Sequence, residues 1–125
     1  MEEQDARETS RTQDAESRFA TIVKFDIVDS TRLARRISRP DSLELRRGFR
    51  AAVESVVKPF DVKIEWEGDG GLILFGYPEV RVDAAEAAVR SGLALIDAVG
   101  AVDAVPGVRL ELRVGIASGF VTIDS

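Results

Sequence analysis

Val62-Lys63-Ile64-Glu65-Trp66-Glu67-Gly68-Asp69-Gly70-Gly71-Leu72-Ile73-Leu74-Phe75 reads as a β-hairpin. Val62, Ile64 and Trp66 alternate with Lys63, Glu65 and Glu67, the period of a strand with one buried face. Gly68-Asp69-Gly70 supplies the residues of a tight turn, and Leu72 to Phe75 return as a buried strand. Helical periodicity flanks this hairpin on both sides. Upstream, Asp41-Ser42-Leu43-Glu44 has the form of a capping box with aspartate as the cap. Leu45, Phe49, Ala52, Val53 and Val56 then recur at helical spacing to about Lys58, where Pro59 stops the helix. Before that helix lies Ala20 to Val28, strand-like and rich in β-branched residues, with Val23, Phe25 and Ile27 on one face and Lys24 and Asp26 on the other. Asp29-Ser30-Thr31 caps a short helical stretch through Ile37.

Downstream, a second long helix is expected over Arg81 to Val99. Its Ala85, Val89, Gly92, Ile96 and Val99 are expected to face the core, and Asp83, Glu86, Arg90 and Asp97 to face water. Pro106-Gly107 turns into a strand from Val108 to Ile116, and Phe120 to Ile123 begins one more.

The order βαββαβ predicts an α+β fold, the ferredoxin-like two-layer sandwich with an antiparallel sheet and helices on one face. The crossover helix makes the first two strands parallel, and the hairpin turns the third back against both. The end of strand one and the start of strand three therefore share an edge, and Asp26 and Asp69 converge there if those strands are neighbours. The helices are expected on the face of Phe25, Ile64, Trp66 and Leu112. Lys24, Asp26, Lys63, Glu65, Arg109 and Arg113 then occupy the open face.

Composition narrows the chemistry. At 125 residues, 45% hydrophobic and 31% charged, the chain suffices for one domain with a core. Residues 1–18 hold almost no large apolar side chain and are expected to form a disordered leader, leaving the domain at 19–125. With neither cysteine nor histidine, disulfides, thiolate or imidazole ligands and an imidazole base are excluded, so any metal is held by oxygen. The net charge of −5 argues against nucleic acid as a partner. No apolar run approaches membrane-spanning length, and a cytoplasmic location with no membrane partner is expected. Two carboxylates at one sheet end can hold hard cations such as Mg²⁺ against a polyphosphate. Each residue also has a plainer role: Asp29, Ser30 and Thr31 as a helix cap, Asp69 as a turn residue, and Glu65 and Glu67 as the wet side of a strand. Arg32, Arg35, Arg36 and Arg39 are a solvated face or a phosphate contact.

Phe25-Asp26-Ile27-Val28-Asp29-Ser30-Thr31 and Gly68-Asp69-Gly70, in register with Leu74-Phe75-Gly76-Tyr77-Pro78 and Arg113-Val114-Gly115-Ile116-Ala117-Ser118-Gly119, resemble the class III nucleotidyl cyclase catalytic domains. They are similar to bacterial members that precede ATPase regulators. The resemblance implies two Mg²⁺ or Mn²⁺ ions, a metal-holding set of Asp26, Ile27 and Asp69, and Asp26 and Asp69 as the catalytic pair. It also implies phosphate binding at Asp29, Ser30 and Thr31. A nucleoside triphosphate would become a 3′,5′-cyclic nucleotide and pyrophosphate within a head-to-tail homodimer. At the family's base-reading position stands Glu65, as in guanylate cyclases, so GTP is weighed beside ATP. The family continues past the position of Gly119 into a segment bearing an asparagine and an arginine, so this chain is expected to be inactive by itself. The alternative is a non-catalytic cyclase-like module for nucleotide binding or dimerisation. Palm-type relatives place their hairpin glycines before the aspartate, and an RNA-recognition sheet needs aromatics on its open face; neither fits.

Overall fold

A computed structural model describes residues 16–123. Its elements are β1 (Glu16–Ile27), α1 (Ser30–Arg36), α2 (Arg39–Val57), a 3₁₀ turn (Lys58–Phe60), β2 (Ile64–Glu67), β3 (Gly70–Phe75), α3 (Ala84–Gly100) and β4 (Leu112–Ile123). The sheet runs β2-β3-β1-β4 with every neighbouring pair antiparallel, the topology expected of the ferredoxin-like sandwich. The helices cover one face, where Val23, Phe25, Ile73 and Phe75 are buried with Leu45, Phe49, Val53 and Leu95. Lys24, Glu65 and Arg113 are exposed, as the alternation required.

Several boundaries move. β1 begins at Glu16, inside the expected leader, of which residues 1–15 lie outside the described residues. The two strands expected after Pro106 are one, Leu112–Ile123, paired with β1 along its whole length. Helix α2 is capped by Ser38, whose Oγ accepts a hydrogen bond from the Asp41 N–H at 3.2 Å. Pro40 thus stands inside the first turn, where its missing N–H has no intrahelical partner to lose.

Helix α3 departs most from expectation. It starts at Ala84 and buries Ala87, Ala88, Ser91, Gly92, Leu95 and Val99, while Ala85, Val89 and Ile96 face outward, the latter two 49% and 42% exposed. Apolar residues surround this helix, so periodicity permits more than one stripe, and packing selects the smaller side chains. A Cβ at Gly92 would lie 3.2 Å from Val114 and 3.3 Å from Ile116, showing how closely helix and β4 approach. Ser91, fully buried, satisfies its hydroxyl by donating to the Ala88 carbonyl at 2.9 Å. Val89, Leu93 and Ile96 form an exposed apolar stripe along α3. Among the described residues, no helix is long and apolar enough to cross a membrane.

Candidate functional site

The end of β1 is held from three directions. Beneath it, the rings of Phe25, Phe49 and Trp66 pack edge-on or tilted, with centroids 5.8 to 6.2 Å apart, and the Arg50 guanidinium covers the outer face of Trp66 at 4.6 Å. Laterally, the Ile27 N–H donates to the Asp69 carbonyl at 3.1 Å and the Val28 N–H to the Glu111 carbonyl at 2.8 Å. The last residues of β1 are thereby fixed between the hairpin turn and the approach to β4.

The turn itself is two residues, Gly68 and Asp69. Gly68 takes a positive φ of 52°, which a type II′ hairpin demands at its first central position and which glycine adopts without steric strain. Gly70 then packs against β1 so closely that a Cβ would lie 2.0 Å from the Phe25 carbonyl oxygen and 2.8 Å from the Asp26 Cα. This contact sets Asp69 one residue beyond the point where β3 meets Asp26.

The structure brings several of the expected site residues together. The Ser30 hydroxyl donates to Asp69 Oδ2 at 2.6 Å, and Arg46 Nη2 stands 3.7 Å from Asp69 Oδ1. Ser30, Thr31, Ile27, Arg46 and Asp69 share a cavity of about 270 Å³. Asp26, Ile27, Ser30 and Thr31 line a more open hollow of about 540 Å³, whose wall also carries Asp29, Arg32, Arg35, Arg36 and Arg113. Ile27, Ser30 and Thr31 are common to both, so the two carboxylates flank one short stretch of chain. Asp29 occupies the cap position of α1 in a left-handed conformation (φ 52°), and its side chain makes no capping hydrogen bond. Its carbonyl instead receives the Leu33 N–H. Glu65 stands apart from both cavities, exposed on β2 at the far edge of the sheet.

Arg113 is the member that sequence reasoning left as an open-face residue. The β1–β4 register sets it directly opposite Asp26. Its Nε and Nη2 donate to the two Asp26 carboxylate oxygens at 3.0 and 2.9 Å. This bidentate pair holds the Asp26 carboxyl below the usual aspartate range and raises Arg113 in return. Alternation placed both side chains on the open face; only the strand register shows that they meet.

The available donors are all oxygen: the carboxylates of Asp26 and Asp69 and the main chain at Ile27. They suit a hard divalent cation. Among the described residues no group of three or more His, Cys, Asp or Glu side chains is placed to hold a metal ion.

Comparison with known proteins gives the family. Residues 13–125 match the model of the adenylate and guanylate cyclase catalytic domain. The chain is 32% identical over 116 residues to an uncharacterised protein of Rhizobium meliloti (strain 1021), covering 91% of this chain and 11% of that protein. It is similar to a non-canonical dimeric guanylyl cyclase domain of the RhoGC fusion protein from the aquatic fungus Blastocladiella emersonii, with 26% identity, 86% of this chain and 62% of that one covered, and a TM-score of 0.76. It is likewise similar to the guanylate cyclase domain of RhGC from Catenaria anguillulae in complex with GTP, at 29% identity, covering 86% and 60% of the two chains with a TM-score of 0.77. The chain therefore spans about three fifths of those solved structures and a small part of the Rhizobium protein. With its topology, hairpin and match over nearly its whole length, the chain belongs to the adenylate and guanylate cyclase catalytic domain family.

Proposed function

We propose that this chain provides the metal- and triphosphate-binding portion of a nucleotidyl cyclase. The observation that carries the reading is the meeting of the β1 end with the hairpin turn, where Ile27 and Ser30 hydrogen-bond to the main chain and side chain of Asp69 while Asp26 lines the adjoining hollow. Asp26, Ile27 and Asp69 would hold two Mg²⁺ or Mn²⁺ ions. Bound there, the ions would supply Lewis-acid activation of the ribose 3′-hydroxyl and neutralise charge on the triphosphate. Main-chain N–H groups at Asp29 to Thr31 donate to phosphate oxygens, with the Ser30 hydroxyl orienting Asp69 from behind. The reaction joins the 3′-oxygen to the α-phosphorus and releases pyrophosphate, giving the cyclic nucleotide.

Glu65 lies on the same open face as Asp26 but on β2 at the sheet edge, outside both cavities, which suits a head-to-tail homodimer in which each chain's open face meets the partner's nucleotide. There its carboxylate accepts hydrogen bonds from the N1–H and amino group of guanine. The GTP complex of the Catenaria domain supports the nucleotide class.

These 125 residues contain no asparagine, the residue that the family pairs with an arginine to stabilise the transferring phosphorus. Removing such donors costs about 10²–10³-fold each, so an assay of these 125 residues by themselves is expected to give turnover near background. Incubation with Mn²⁺ and each of ATP, GTP, CTP and UTP, assayed for cyclic nucleotide and pyrophosphate, tests this. Robust turnover that disappears in Asp26→Asn would overturn the inactivity and keep the metal site. Failure of any triphosphate to bind would favour the dimerisation-module alternative.

A further inference from the structure

We propose that Arg113 acts as a built-in counter-cation for Asp26, holding its carboxylate in the metal-free chain and weakening capture of a bare divalent ion. The inference rests on the reading of Asp26 as a metal ligand. It adds a residue on β4 that governs how readily that ligand is available.

The geometry is specific. The antiparallel ladder between β1 and β4 sets the two residues directly opposite each other, so the guanidinium lies within reach of the Asp26 carboxylate. Its planar fork donates one N–H to each carboxylate oxygen, at 3.0 and 2.9 Å. Both oxygens that a cation would use are engaged. The side chains are 67% and 43% exposed, so the pair is open to exchange with ions from solvent. Arg32, Arg35 and Arg36 line the same hollow and add positive potential around it. Asp69 is treated differently: among the described residues its ion-pair partner is Arg46, at 3.7 Å, and the 2.6 Å bond it accepts is from neutral Ser30. One carboxylate is thus held by a charged fork and the other mainly by a hydroxyl. A divalent ion approaching Asp26 must displace the guanidinium or bind a few ångströms from a like charge. At such distances in a solvent-exposed setting that repulsion corresponds to about a tenfold change in affinity.

The test measures Mn²⁺ binding to the 125-residue chain without nucleotide, at low ionic strength, from the electron paramagnetic resonance signal of free Mn²⁺. Arg113→Leu is expected to bind Mn²⁺ about tenfold more tightly than the unaltered chain. Arg113→Lys, which keeps the charge, stays within about threefold. Arg46→Leu, removing the looser cation, gains less than Arg113→Leu. The gain disappears when Arg113→Leu is combined with Asp26→Asn. If Asp26→Asn lowers affinity but Arg113→Leu leaves it unchanged or weaker, the counter-cation role is wrong and the metal-ligand reading stands. If Asp26→Asn changes nothing with either residue at 113, the metal-ligand reading itself fails and takes this inference with it. Circular dichroism of each variant establishes that the fold is retained.

Discussion

Gly70 leaves no room for a side chain between the hairpin and β1. Gly70→Ala must push β3 away from Phe25 and Asp26, and is expected to cost about 1–3 kcal/mol with a matching fall in thermal midpoint. An unchanged midpoint would show that the hairpin is not clamped there. Asp26 supplies a second residue-scale prediction, in its acid titration. Because Arg113 lowers the folded-state pKa of Asp26 below that of the unfolded chain, their pairing adds stability above the unfolded carboxylate range. That contribution is lost as pH falls through the lowered folded value. Carboxyl NMR should find Asp26 titrating below ordinary aspartates, and Arg113→Leu should return it upward; identical titrations would contradict the pairing. Each carboxylate has its own partner, so Asp→Asn at either position removes a favourable contact rather than relieving repulsion between the two. Glu65→Lys is expected to shift nucleotide preference from guanine towards adenine, and equal GTP and ATP affinities before and after the change would leave Glu65 a solvated strand residue. At this scale the sequence disclosed Asp26 and Asp69, because an aspartate in a β-branched strand and one in a glycine turn both stand out from their surroundings. Arg113 and Arg46 were hidden, since their partners are set by register and helix orientation.

Among the elements, the two long helices show what periodicity can and cannot determine. The stripe Leu45, Phe49 and Val53 of α2 is buried as its spacing demanded, but its cap lies three residues before the aspartate that resembled one. Proline marks the first turn of a helix as readily as it marks a boundary. Ser38→Ala should therefore lower stability by about 1 kcal/mol, and removal of the Asp41 side chain by less. The reverse order in thermal melts would restore Asp41 as the cap. In α3 the alternatives were nearly equal in apolar content, and only the closeness permitted by Ala88, Ser91 and Gly92 decides between them. Leu95→Ala is expected to cost about 2–5 kcal/mol, against less than about 0.5 kcal/mol for Leu93→Ala. Similar losses at both positions in urea unfolding would mean that the helix is rotated from the orientation described.

For the whole molecule, connectivity brings distant residues to one place. The hairpin after a crossover helix returns β3 antiparallel beside β1, so residues 42 positions apart in sequence meet through the Ile27–Asp69 hydrogen bond. That convergence was legible from element order alone, because an antiparallel βαββαβ sheet allows few strand arrangements. The length of β4 was not legible, since Gly115 and Gly119 look like interruptions in a single strand and do not interrupt it. The central claim, that this sheet end forms a cation and triphosphate site, is tested most directly by calorimetric titration of Mn²⁺-GTP into the unaltered chain and into Asp26→Asn and Asp69→Asn. The expected result is binding to the unaltered chain that is lost in both variants while their circular dichroism is unchanged; undiminished binding in both would contradict it.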